Sequence, residues 1–104
     1  MNITVVPDKQ GCRMVIDGSM TFPFSRQIED RLIDTMRRHP RIEVDLSGVH
    51  EIDLCGIHHL QLLQTIGGEK VNIIALSPVV EHASRSFLAS QRSASLARSS
   101  RNKH

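Results

Sequence analysis

The apolar period of the chain changes from two residues to helical spacing across one short turn-rich stretch, and that change restricts the fold more than any other feature. In Ile42-Glu43-Val44-Asp45-Leu46 apolar and acidic residues alternate at strand spacing, and Ser47-Gly48 supplies turn chemistry after them. Beyond Asp53-Leu54-Cys55-Gly56, the residues Ile57, Leu60, Leu63 and Ile66 recur at helical spacing until Gly67-Gly68, a pair suited to end a helix. A strand therefore feeds a helix through a short acidic connection, with Cys55 at or beside the helix N-terminus. Such a place presents unpaired backbone N–H groups and the positive end of the helix dipole, which suits a phosphate or an acidic partner.

The rest of the chain supplies compatible elements. Ile3-Thr4-Val5-Val6 and Arg13-Met14-Val15-Ile16 read as strands, and Pro7 to Gly11 is rich enough in turn residues to join them as an antiparallel hairpin that ends at Asp17-Gly18-Ser19. Ser25 is placed as the N-cap of a helix with an apolar stripe of Ile28, Leu32, Ile33 and Met36; Glu29 and Asp30 lie early, Arg37, Arg38 and His39 late, and Pro40 closes it. Val71 to Leu76 reads as a strand buried on both faces. A last helix is capped by Ser77 with Pro78 at its first position and takes its core face from Val79, Val80, Ala83, Phe87 and Leu88. The expected order is β-β-α-β-α-β-α: an α/β fold with a single layer of mixed sheet, about four strands, covered by about three helices.

A chain of 104 residues holds one domain with one core. Its three aromatics, Phe22, Phe24 and Phe87, disfavour a base-stacking platform, so no direct nucleic-acid binding is expected. Cys12 and Cys55 follow no leader-like segment and no apolar run approaches the about 20 residues of a membrane span, from which a cytoplasmic location is expected. The net charge of +2 conceals an asymmetry. Five of the 13 basic residues and no acid lie from Ser84 to His104, leaving eight bases against eleven acids elsewhere. Residues 1–90 are read as the domain, and residues 91–104 as a basic Ser/Arg-rich tail, disordered by composition.

The run Val44-Asp45-Leu46-Ser47-Gly48-Val49-His50-Glu51-Ile52-Asp53-Leu54-Cys55-Gly56-Ile57 resembles the signature of the STAS domain, shared by anti-anti-sigma factors and the cytoplasmic tails of sulfate transporters. There the signature reads roughly Asp-Leu-Ser-Gly-Val, a few residues, then Asp-Ser-Ser-Gly-Leu. A second stretch agrees: Ile66 to Val71, then Ala75-Leu76-Ser77-Pro78-Val79-Val80, is similar to the helix end, strand and Ser-Pro helix start that follow in anti-anti-sigma factors. The resemblance covers roughly residues 3 to 90. It departs from the family after that, since the family's final strand and helix have no counterpart in residues 92–104; an exposed sheet edge would then invite pairing with a second copy of the chain.

What the resemblance implies is an anti-sigma factor antagonist: a non-enzymatic regulatory module that docks loop 53–56 and the following helix onto a kinase-like anti-sigma factor. In that family the position of Cys55 is a serine phosphorylated by the partner, and the unphosphorylated form binds the partner and frees the sigma factor. A thiol is not an expected substrate, so the off switch would be altered. Asp53, Leu54, Cys55, Gly56, His58 and Gln61 form the candidate partner surface, with Asp53 also suited to cap the helix and Gly56 to a close backbone approach. Two other readings stay open: a STAS subunit of a larger phospholipid-transport or sensory assembly, and a thiol-based redox sensor or enzyme using Cys55.

Other chemistry is weakly signalled. Cys55 lies three and four residues before His58 and His59, and His82 lies on another helix, but no recognised zinc spacing results and no metal is expected. His59 falls between apolar positions, as a hydrogen-bonded, semi-buried residue does. Cys55, His58 and Glu51 can be drawn as nucleophile, base and orienting acid, yet no oxyanion loop, nucleophile elbow, phosphate loop or paired carboxylate motif accompanies them, so no cofactor or catalytic group is assigned.

Overall fold

A computed structural model describes residues 1–85, and within them the chain alternates as the periodicity requires. Strands β1 (Asn2–Pro7) and β2 (Cys12–Met20) are followed by a 3-10 turn (Phe22–Phe24), helix α1 (Ser25–Arg38), strand β3 (Ile42–Ile52), helix α2 (Leu54–Gly67), a second 3-10 turn (Gly68–Lys70) and strand β4 (Val71–Leu76). Helix α3 begins at residue 78 and is described to residue 85. The four strands form one mixed sheet in the order β1-β2-β3-β4, antiparallel between β1 and β2 and parallel thereafter. The fold is therefore α/β in the order β-β-α-β-α-β-α. The expected core residues Phe87 and Leu88 and the basic tail lie outside the described residues.

The hairpin turn closes as its composition requires. Asp8 accepts hydrogen bonds from Gln10 N and Gly11 N, both at 2.8 Å, and its own N–H donates to the Gly11 carbonyl. At the other end Ser77 caps α3, its hydroxyl accepting from Val80 N at 3.3 Å while Pro78 occupies the first helical position.

Both parallel crossovers step across the sheet in one direction, so their right-handedness places α1 and α2 on one face. The core lies between: Cys12, Met14, Ile16 and Met20 from β2 and Ile42, Val44, Leu46 and Val49 from β3 meet Ile28 and Leu32 of α1, Leu60 and Leu63 of α2 and Val80 of α3. The opposite face carries the Arg13–Glu43 ion pair at 3.5 Å, both side chains about half exposed. This placement corrects one expectation. β4 is not buried on both faces: Val71, Ile73 and Ala75 turn inward, whereas Ile74 and Leu76 are 38% and 40% exposed on the face that no helix covers among the described residues.

Three further expectations are revised. Ser47-Gly48 does not end the third strand. β3 continues to Ile52 because β2 pairs along its length, with Asp17 opposite Gly48 and Met20 opposite Ile52, and irregularities in register absorb the turn chemistry as bulges. Asp45 accepts both the N–H and the hydroxyl of Ser47, at 2.9 and 2.6 Å, which holds its carboxyl below the usual range. Ser25 is not a cap. It is already helical at φ −53° because the 3-10 turn runs directly into α1, and its N–H donates to the Phe22 carbonyl. Finally, the apolar stripes are only partly covered: Ile33 of α1, Ile66 of α2 and Val79 of α3 are 38%, 64% and 40% exposed, while Thr35 and His59 take buried positions.

Candidate functional site

Strands β2 and β3 are parallel and end together, so the loops that follow them meet at one edge of the sheet, where α/β folds place their sites. Two interactions join the two loops, and a third caps the helix that follows the second of them. Asp53 N donates to the Met20 carbonyl at 3.3 Å, Asp53 Oδ2 accepts from Phe22 N at 2.9 Å, and Asp53 Oδ1 accepts from Gly56 N at 3.1 Å. One carboxylate thus caps α2 and also anchors the neighbouring loop. The Phe22 N–H is the largest reason that the Asp53 carboxyl lies below its usual range, with the N–H groups of Gly56 and Cys55 acting in the same direction against desolvation. The expected cap is present, and its second bond, to Phe22, is an addition that spacing along the chain does not reveal.

Gly56 explains how closely the loops approach. A Cβ on this residue would run into the Met20 carbonyl oxygen and come within 2.7 Å of Ile52 Cγ1, so the start of α2 rests on the end of β2 only because no side chain intervenes. Gly68 ends the same helix at φ 55°.

The geometry leaves two apolar side chains in solvent. Leu54, the first residue of α2, is 80% exposed, and Phe22, across the Asp53 bridge, is 71% exposed. Cys55 is a half-buried free thiol at the second position of α2, and His58 is exposed one turn further on. Gln61 is half-buried. The six expected surface residues therefore fall on the first eight residues of α2 and its cap, but Gly56 is buried and serves geometry. Phe22 was missing from the expected set. Its signal was legible as an aromatic-proline-aromatic run, Phe22-Pro23-Phe24, directly before a helix, where one ring must face outward.

Beside these residues lies an open groove of about 350 Å³, between Ser25 and Glu29 of α1 and Leu54, Cys55, His58, His59 and Leu62 of α2. His59 is buried, 4% exposed, and its Nε2 lies 2.8 Å from Ser25 Oγ. Its Nδ1 has no partner among the described residues. With the hydrogen on Nε2 donating to Ser25 Oγ, the unpartnered atom is a lone pair; the other tautomer would bury an unpaired N–H at higher cost. Burial pushes the His59 pKa below the usual value, opposed by the Glu29 carboxylate and aided by His58. In this arrangement the imidazole donates to the serine and holds no proton-accepting contact with it, so the pair is a clamp between α1 and α2. The expectation of a hydrogen-bonded histidine is met, with deeper burial than expected.

Cys55, His58, His59 and His82 do not gather: among the described residues no three His, Cys, Asp or Glu side chains form a metal-ligating group. The His58 and His59 rings stand 6.4 Å apart and tilted by 56°. Among the described residues no helix is long and apolar enough to cross a membrane. A larger hollow of about 440 Å³ opens at the opposite end of the sheet, but Arg41 and Lys70 there face Asp8, Glu43 and Glu69, so opposite charges are mixed across it. No protein-family model matches the chain, and no curated protein matches it either.

Proposed function

We propose that this protein is a STAS-type binding module, similar to an anti-sigma factor antagonist, that docks loop 53–56, the start of α2 and the adjoining Phe22 onto a kinase-like anti-sigma partner. The observation that carries the reading is the exposed pair Leu54 and Phe22, 80% and 71% accessible and held on either side of the Asp53 bridge. Exposed apolar groups on a hydrogen-bonded loop suit an interface, because anchors already ordered lose little entropy on binding. The strand order and the two signature stretches support the resemblance on which the family part of this reading rests. Cys55 occupies the phosphoacceptor position of the resemblance, half-buried in the first turn of α2.

The test is binding of the native chain to a purified kinase-like anti-sigma factor, followed by calorimetry, with Phe22→Ala and Leu54→Ala as probes. Both side chains are exposed, so these substitutions leave folding nearly unchanged and weaken binding at least about tenfold each. Binding indifferent to both substitutions would remove this surface from the interface.

A further inference from the structure

Between the C-terminal halves of α1 and α2 a second concavity opens, far from Cys55. Ile33, Met36, Ile42 and Ile66 line a groove of about 390 Å³. A small extension of about 50 Å³ continues it between the two helices, lined by Leu32, Leu62 and Leu63, with Glu29 and His59 also on its wall. The exposure of Ile33 and Ile66, which the helical period assigns to the core, follows from this opening. Three basic side chains, Arg37, His39 and Lys70, stand around the groove, and among the described residues no acidic one lines it. Among the described residues the ion pairs are Arg13–Glu43, Arg38–Asp34 and Arg85–Glu81, so neither Arg37 nor Lys70 is engaged in one, although Lys70 also borders the hollow that holds Glu43 and Glu69.

We propose that this groove binds a single-chain amphiphile with an anionic head, a long-chain carboxylate, whose chain lies along Ile33, Met36 and Ile66 and whose head meets Arg37 and Lys70. An apolar concavity with a few convergent polar groups at one end is the form of a small-molecule site. Charge selects among occupants. The chain's own residues 92–103 carry Arg92, Arg98, Arg101 and Lys103 and would be repelled by the rim. A second copy related by a two-fold axis would bring a second set of the same cations to the contact. The groove spans little more than one turn of α1, from Ile33 to Arg37, and meets α2 only at Ile66-Gly67, too short for a partner helix to make several turns of contact. This site is independent of the docking loop and does not rest on the proposed partner.

The experiment titrates the full native chain with sodium dodecanoate below its micellar concentration, and with dodecyltrimethylammonium and octanoate, by calorimetry. The variants are Arg37→Glu/Lys70→Glu and Ile66→Asp, all at exposed positions, with thermal melts to verify that they fold. Expected are saturable one-to-one binding of dodecanoate, weaker binding of octanoate, and a loss of about tenfold or more for the cationic amphiphile and for each variant. Absence of saturable dodecanoate binding, equal affinity for the cationic amphiphile, or indifference to charge reversal would overturn the proposal. Capture of an acidic amphipathic peptide without dodecanoate binding would reassign the groove to a protein partner, and loss of a native dimer in the variants would reassign it to a second copy; either result refutes the carboxylate site.

Discussion

Replacing Asp53 by alanine removes two hydrogen bonds through one side chain, and their separate contributions follow from the geometry. Oδ1 satisfies the Gly56 N–H at 3.1 Å, a bond to the third helical position whose loss costs about 1 kcal/mol. Oδ2 holds Phe22 N at 2.9 Å. That contact is exposed, so its N–H returns to water and the loss falls below the range for bonds to charged groups, to about 1 kcal/mol. Asp53→Ala is therefore expected to destabilise the domain by about 2 kcal/mol, a fall of roughly 10 °C in thermal midpoint for a chain of this size. Asp53→Asn keeps one carbonyl oxygen for the cap but turns an amide N–H₂ toward Phe22 N–H, so it should lose about half as much. Because the folded-state pKa of Asp53 is lowered, its ionised-state contribution is present above the unfolded carboxylate value, about 3.9, and is lost as pH falls through the folded value. Urea unfolding of native, Asn and Ala proteins at pH 7 and pH 3 measures this directly. An Ala loss below about 0.5 kcal/mol, an Asn variant as unstable as Ala, or a native-to-Ala gap that does not shrink in acid would refute the two-bond account.

The remaining expectations concern neighbouring residues. Gly56→Ala should cost about 2 kcal/mol or more despite the better helix propensity of alanine, because the new methyl meets the Met20 carbonyl, a backbone atom that cannot rotate away; a neutral effect on the urea midpoint would contradict that contact. His59 has a folded pKa below its unfolded one, so the unfolded state binds more protons just below pH 6.5, and stability should decline there with falling pH; His59→Gln should flatten that part of the profile, and an unchanged slope would argue against a burial-shifted imidazole. Cys55→Ser should leave stability within about 0.5 kcal/mol and, if the proposed partner is a kinase, gain phosphate where the native chain gains none. Phosphorylation of the native chain on Ser47 or Thr65 with loss of binding would show that the off switch persists elsewhere. Cys55→Asp should weaken partner binding through added charge at the interface, and equal affinity would place residue 55 outside it.

The elements were legible where the apolar period was strong and the ends were chemically marked. Ser77-Pro78, Asp53 and Gly67-Gly68 define their boundaries through local capping physics, which acts within a few residues and so can be read along the chain. Pairing across the sheet is different. Ser47-Gly48 reads as a turn in isolation, yet β3 continues past it because β2 lies alongside to Met20, and nothing near residue 48 announces that neighbour. Ser25 has the composition of a cap, but the turn through Pro23 already places it in the helical region, leaving its hydroxyl for His59 on the next helix. Helical spacing alone places Ile66 in the apolar stripe, and the apolar run that holds Ile74 reads as buried on both faces. Whether such residues are covered depends on how closely two helices pack and on which face of the sheet they occupy, both of which arise from tertiary packing.

The site shows the same division between local and tertiary causes, and this bears on what a thiol at position 55 changes. The direction of the helix start comes from Asp53 and Gly56, and the exposure of Leu54 and Phe22 comes from the bond between Asp53 and Phe22 N; none of these contacts involves Sγ of Cys55. Replacing a hydroxyl by a thiol at residue 55 therefore removes a site of modification while leaving the bonds that present the surface in place. In the proposed role, a module of this kind holds its docking form irrespective of kinase activity, and control passes to the supply of the protein or of its partner. Substitution of Asp53 acts the other way. It releases Phe22 from the capped helix and loosens the surface itself, so binding should fall with the order of the loop even though residue 55 is untouched.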